Sequence, residues 1–172
     1  MKKVLFLSHY FPPEVNAPAR RTYEHAIKWI GNGLKVTIIT NHPNHPHGKL
    51  YEGYDNKWIS KEKIDGIEVI RVKTYLTPNR GILKRSINFI FYMVMAVIAS
   101  FRVKKPDVVI ATSPQFFCGL TGTIIKRIKR IPLILEVRDL WPDSIIAVGA
   151  LKECLMIKIL KYLEKYMYFS SN

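Results

Sequence analysis

Glu136-Val137-Arg138-Asp139-Leu140-Trp141-Pro142-Asp143 sets four charged side chains and an indole directly behind the apolar run that begins at Leu133. Unpaired charge at the end of a buried strand is expensive, so such groups pair with one another or with a ligand. Asp139 is the candidate catalytic carboxylate, Arg138 a candidate for holding charge or hydroxyls, and Trp141 a flat apolar face for a sugar ring. The plainer reading is that Asp139 or Asp143 caps the next helix while Trp141 fills core.

A second cluster lies near the amino terminus. Tyr10-Phe11-Pro12-Pro13-Glu14-Val15-Asn16-Ala17 runs straight into a helix whose first turn holds Pro18, Arg20 and Arg21. Helix N-termini present open N–H groups and a partial positive charge, so a phosphate or a sugar hydroxyl could dock there. Arg20 and Arg21 could add bidentate phosphate contacts. Pro13, Glu14 and Asn16 are candidate substrate contacts, with Asn16 and Ala17 nearest a donor phosphate. Alternatively, the two prolines only stiffen a turn and both arginines are solvated.

Other chemistries find no support. No G-x-G-x-x-G follows the first strand, and there is no P-loop, H-E-x-x-H or Ser-His-Asp order. His42, His45 and His47 share a loop but match no zinc spacing, so no metal is expected. Cys118 and Cys154 sit in apolar surroundings and read as buried reduced thiols. Met1-Lys2-Lys3 before Val4-Leu5-Phe6-Leu7 is too short an apolar run for a signal peptide and reads as a buried first strand.

The elements that must position these groups alternate strand and helix. Strands are expected at Val4–Leu7, Val36–Thr40, Ile67–Val72, Asp107–Ala111 and Leu133–Val137. Between and after them, helices are expected from Pro18 to Ile30, Ile82 to Phe101, Phe116 to Ile128 and Leu155 to Tyr168. Gly31-Asn32-Gly33 stops the first helix, Asp65-Gly66 makes a turn before Ile67, and 41–60 reads as a long loop, functional or mobile. Such alternation predicts an α/β, Rossmann-like, three-layer architecture: a mainly parallel sheet with the first strand central and helices on both faces. Ligands of open α/β sheets gather outside the strands' carboxyl ends. That rule brings the first loop, the Thr112–Gln115 segment with Ser113, and Arg138–Asp143 to one place.

Composition fits one globular domain of 172 residues, 48% hydrophobic, so disorder is excluded. The formal net charge of +14 points to an anionic partner. Between Arg80 and Arg130 ten cations face a single acid, Asp107. That stretch contains Ile87 to Phe101, apolar but for Asn88 and Ser100. As a helix it spans roughly 22 Å, short of the ~30 Å bilayer core. It is either a buried domain helix or one lying in the plane of a membrane, held by Phe89, Phe91 and the flanking Lys84, Arg85, Arg102, Lys104 and Lys105.

Several stretches resemble one known family: Tyr10 to Glu14, Ala19-Arg20-Arg21, Asn44 to Tyr54, Asp65-Gly66-Ile67, Pro106 to Pro114 and Glu136 to Ser144. Together they are similar to the N-terminal domain of family 4 retaining glycosyltransferases, in the subgroup that builds bacterial O-antigen, capsule and exopolysaccharide. The resemblance implies a GT-B enzyme with two Rossmann-like domains and its active site between them. Residues 1–172 would be the acceptor-side half, and an open sheet ending on a helix reads as cut, with the donor-binding domain outside it. Such enzymes transfer sugar from a nucleotide sugar, commonly to a lipid-linked saccharide acceptor, at the cytoplasmic face of the membrane. They are typically metal-independent; the nucleotide sugar is a substrate and no cofactor is implied. An anionic membrane surface is the expected partner; nucleic acid is not. Asn16-Ala17 stands where many relatives have Gly-Gly, and Arg138 where many have His; a guanidinium cannot act as a base. Two alternatives remain: a non-catalytic subunit of a split glycosyltransferase, and a nucleotide-binding oxidoreductase or epimerase domain, which the missing glycine fingerprint disfavours.

Overall fold

A computed structural model of the chain describes residues 1–77, 82–112, 116–143 and 155–172. Ser113 and Cys154 lie outside the described residues. The elements in chain order are β1 (Lys3–Leu7), α1 (Ala17–Gly31), β2 (Lys35–Asn41), β3 (Ile59–Ile64), β4 (Ile67–Val72), α2 (Ile82–Ser100), β5 (Val108–Thr112), α3 (Phe116–Lys129), β6 (Leu133–Glu136) and α4 (Leu155–Ser170). The strands form one six-stranded sheet in the order β3-β4-β2-β1-β5-β6. Every neighbouring pair is parallel except β3 with β4.

The parallel strands are β-branched and apolar on both faces because helices cover both faces. On one side Leu5, Leu7, Ile39, Val72, Val109 and Leu133 pack under Tyr92, Met95, Ala96 and Ala99 of α2 and Cys118 and Ile125 of α3. On the other, Phe6, Val36, Ile38, Ile67 and Val69 pack under Ala26 and the flanking apolar side chains of α1. The result is the expected Rossmann-like α/β fold, with β1 in the interior of the sheet.

Local chemistry sets the ends of α1. Asn16 is its N-cap, with Oδ1 accepting the Ala19 N–H at 3.0 Å. Gly33, at φ 79°, closes the other end by donating to the Ile30 carbonyl. Asp65 and Gly66 both have positive φ, 47° and 86°, the requirement of a tight hairpin turn. That turn joins β4 to β3, which the sequence reading did not anticipate. Ile59-Ser60-Lys61-Glu62-Lys63-Ile64 contains no buried residue, because it is an edge strand whose Lys61 and Lys63 face water.

α3 approaches the sheet closely at its glycines. A Cβ on Gly122 would lie 2.8 Å from the Ala111 Cβ and 2.9 Å from a Leu133 methyl. The Ala111 Cβ is fixed to β5 and cannot give way. Gly122→Val is therefore expected to destabilise the domain by about 2–3 kcal/mol, as overpacking does. Gly31→Ala, where nothing lies within 4 Å of the new atom, serves as the control. Urea unfolding midpoints check both, and an unshifted midpoint for Gly122→Val would refute the close approach.

Candidate functional site

The carboxyl ends of the parallel strands carry the polar loops. After β1, Ser8 is pinned from two sides: its hydroxyl donates to the Tyr10 carbonyl at 2.7 Å and lies 3.0 Å from the Thr22 hydroxyl of α1. Phe11 is fully buried. Glu14 is 2% exposed, and its Oε1 accepts the N–H groups of Asn44 and His45, each at 3.0 Å. It thereby latches the loop after β2 onto the loop after β1. Burial raises its carboxyl above the usual range, and the backbone donors pull against that shift.

Arg21 leaves the first turns of α1 and pairs with Glu136 at the end of β6. This contact joins two segments 115 residues apart and gives the site a physical boundary. Beyond Glu136, Arg138 is half-buried and Asp139 exposed. The Trp141 N–H donates to the Asp139 carbonyl at 2.9 Å, and the half-buried indole packs at 4.9 Å on Phe116 of α3. Asp143 pairs with Lys161 of α4 at 2.9 Å.

The expected site residues therefore divide. Arg21 meets the end of β6 through Glu136, two residues before Arg138, while Pro13, Asn16 and Ala17 lie on the loop and first turn that follow β1. Asn16 spends its carbonyl oxygen on capping α1. Arg20 points into solvent and pairs with Glu24 of its own helix at 2.8 Å. Glu14 faces the 44–45 turn.

Two groups at this edge were not singled out in the sequence. Arg71, 1% exposed, pairs with Glu62 of β3, donates to the Asn41 and Pro12 carbonyls, and faces the Tyr54 ring at 4.9 Å. It ties the edge hairpin, β2 and the first loop together. The signal was a cation inside the apolar Val69–Val72 stretch of β4, with Glu62 diagonal to it across the hairpin.

His9, 2% exposed, is boxed by the rings of Tyr10, Phe89 and Tyr92, with the Asn41 amide about one hydrogen bond away. Burial, helped by the fields of His45 and Arg85, lowers its pKa to about 3. The folded protein holds His9 neutral, whereas the unfolded chain protonates it near 6.5. Stability should thus fall as pH drops below 6.5, by up to about 1.4 kcal/mol per pH unit until about pH 3. His45 and His42, also depressed by burial, act in the same direction. Glu14, raised by burial, acts in the opposite one. Urea unfolding between pH 7 and 5 should show this slope, and His9→Gln should flatten it. An equal slope in the variant would refute the assignment.

The residues expected to meet a membrane also divide. Lys84, Arg102, Lys104 and Lys105 are exposed. Phe89 turns inward, edge-on to His9 at 4.9 Å, and Arg85 lies over Phe89 on that same side. Phe91 packs against the core. The outer face of α2 is instead a stripe of Ile87, Ile90, Val94, Ile98 and Phe101, spaced by threes and fours and 41–63% exposed. Ile124 and Ile128 of the neighbouring α3 are also exposed. Among the described residues, no helix is long and apolar enough to cross a membrane, and no three His, Cys, Asp or Glu side chains group as metal ligands do.

Comparison with known proteins finds no matching family model and no matching curated protein. Among solved structures, the chain is similar to the C-terminal domain (residues 78–226) of PF1911 hydrogenase from Pyrococcus furiosus. The TM-score is 0.49 at 17% identity, covering 78% of this chain and 90% of that one. Likeness at that level carries no argument about function.

Proposed function

We propose that this domain is the acceptor-side half of a retaining, nucleotide-sugar-dependent glycosyltransferase of the GT-B type, working on a lipid-linked saccharide at the inner face of the membrane. The observation that carries the reading is the Arg21–Glu136 pair, which fastens the helix behind the first loop to the end of β6. On this reading Pro13 to Arg21 and Arg138 to Trp141 border one site at the strand ends, where open α/β sheets take their ligands.

The chemistry suits sugar transfer without a metal. Departure of a nucleoside diphosphate builds negative charge on phosphate oxygens. At the start of α1 Pro18 has no N–H and Ala19 and Arg20 donate to Asn16, so the Ala17 N–H, the partial positive charge of the helix terminus and the guanidinium of Arg138 are the groups that would meet such charge. The indole of Trp141 offers an apolar wall for a pyranose, and Asp139 a carboxylate to orient the acceptor hydroxyl. The peripheral membrane location rests on the apolar outer stripe of α2 and the exposed cations at its ends.

A panel of nucleotide sugars with a lipid-linked acceptor tests the reading. Residues 1–172 alone should transfer nothing and bind nucleotide sugars with a Kd on the order of millimolar or weaker, since most donor contacts belong to a second domain. The two-domain enzyme should transfer one sugar of the panel. Turnover by residues 1–172 alone, or tighter binding of NAD than of any nucleotide sugar, would overturn it.

A further inference from the structure

The two edges of the sheet are built differently. β3, at one edge, sets the exposed Lys61 and Lys63 against pairing with another strand. β6, at the other, is Leu133-Ile134-Leu135-Glu136, with no lysine or proline to guard it. Ile134 is 47% exposed, and Val137, just past the strand, 43% exposed. An apolar edge left open in this way is a template for another strand.

Pairing has already begun there. The Val109 N–H donates to the Pro132 carbonyl at 3.0 Å, so that carbonyl faces β5. Bonding groups alternate sides along a strand, and those of Leu133 therefore face outward. Asn172 takes both of them. Its N–H donates to the Leu133 carbonyl at 2.9 Å, and its side-chain Oδ1 accepts the Leu133 N–H at 3.2 Å. The position is fixed from α3 as well, where the Lys126 ammonium donates to the Asn172 Oδ1 at 2.6 Å and to the Ser170 carbonyl. The next outward pair on β6 belongs to Leu135, and β6 is the last strand of the described sheet.

The same contacts set a direction. α4 lies so close beside α3 that a Cβ on Gly119 would stand 2.9 Å from the sulfur of the buried Met167. It thus returns over the face that α3 covers and delivers Asn172 to the start of β6. A chain that enters there and follows β6 runs parallel to it, and the crossover through α4 repeats the hand of the one through α3. In a parallel ladder a residue bonds the two neighbours of the residue opposite it. Asn172 therefore stands opposite Ile134, and the second residue after it opposite Glu136.

The geometry points to the outer edge of β6 as the docking edge for a seventh strand, parallel to it and supplied by the chain that continues past Asn172 in the two-domain enzyme. The inference rests on the proposed function for that continuation. A second copy fits the edge less well, because Asn172 holds the first bonding position and two chains of charge +14 repel. The consequence is for the site. The added strand runs past Glu136, and the loop after it lies next to Arg138 and Asp139, so one wall of the site comes from beyond residue 172.

Amide hydrogen exchange in residues 1–172 and in the two-domain enzyme tests this. The Leu135 N–H should exchange at least ~100-fold more slowly in the two-domain enzyme, as a ladder bond inside a sheet does. The Ile134 N–H, turned toward β5, is the control and should be slow in both. Ile134→Lys changes a half-exposed side chain and should leave the unfolding midpoint of residues 1–172 in place. In the two-domain enzyme the new charge meets the added strand, and Leu135 should lose about tenfold of its protection. Equal exchange at Leu135 in the two chains would overturn the inference. So would slow exchange in residues 1–172 alone that quickens on dilution, which gives the edge to a second copy. Exchange is read without turnover, so the two readings fail separately. A protected Leu135 in a longer chain that transfers no sugar sinks only the glycosyltransferase, and transfer with Leu135 unprotected sinks only the seventh strand.

Discussion

On the proposed function, Asp139→Asn should cut sugar transfer by the two-domain enzyme at least ~100-fold while leaving its unfolding midpoint almost unchanged. The side chain is exposed at the end of β6, and the substitution keeps its shape, so the stability change should stay within about 0.5 kcal/mol. The Trp141 N–H is held by the Asp139 main-chain carbonyl, which the substitution does not touch. What disappears is one exposed negative charge, three residues beyond the Glu136 that pairs with Arg21. A carboxylate that orients the acceptor hydroxyl, or faces positive charge developing on the donor sugar, acts mainly in the transition state, so kcat should fall more than KM rises. The competing role is a helix cap, and the same substitution discriminates it. Asn and Asp cap almost equally well, so a capping Asp139 predicts near-normal turnover as well as near-normal stability. Turnover within threefold of the parent enzyme would leave Asp139 a structural residue.

The interior of the fold was legible because its signals are local. Val4–Leu7 is a continuous apolar run and Val36–Thr40 a run of β-branched residues, and a parallel strand buried on both faces needs little else. Pro18 and Gly31-Asn32-Gly33 mark the ends of α1 by backbone chemistry that depends on few neighbours, whereas Asn16, read as a substrate contact, caps the helix. Asp65-Gly66 announced its turn, yet β3 stayed hidden in what read as a loop, because Ile59 to Ile64 is an edge strand with charges on its exposed positions. Convergence of the first loop with the end of β6 followed from topology. The contact that makes it physical, between Arg21 and Glu136, spans 115 residues and has no local signature. The same holds for Arg71, whose partners come from β2, β3 and the first loop, and for His9, whose neutrality comes from three rings, two of them on α2. For α2, a helix apolar all round tells its length but not which face the core takes. Only the packing of Tyr92, Met95, Ala96 and Ala99 against the sheet assigns the stripe from Ile87 to Phe101 to the outside.

That stripe leads to the second large effect: the protein should bind vesicles containing anionic lipid and release them as salt rises. Ile87, Ile90, Val94, Ile98 and Phe101 are each 41–63% exposed, so burying the remainder is worth roughly 1 kcal/mol apiece. An apolar stripe alone would suit a second copy of the chain as well as lipid. The cations favour lipid, since Lys84, Arg102, Lys104 and Lys105 stand exposed at the two ends of the helix, and copies of so basic a chain repel one another. Each contributes about 1 kcal/mol near an anionic surface, so four raise affinity about a thousandfold over neutral vesicles at low salt. The attraction decays over about 8 Å at physiological ionic strength and about 3 Å at 1 M, so most of that preference should vanish in high salt. The apolar contribution should persist, leaving weak binding to both vesicle types. Val94→Glu with Ile98→Glu changes side chains already half in water, so the fold should survive while vesicle binding falls at least ~30-fold, the loss of about 2 kcal/mol. Flotation at low and high salt, with sedimentation velocity on the lipid-free protein, reads all of this. No binding to anionic vesicles at low salt, or a dimer that the same double substitution dissolves, would give the stripe to a protein partner instead.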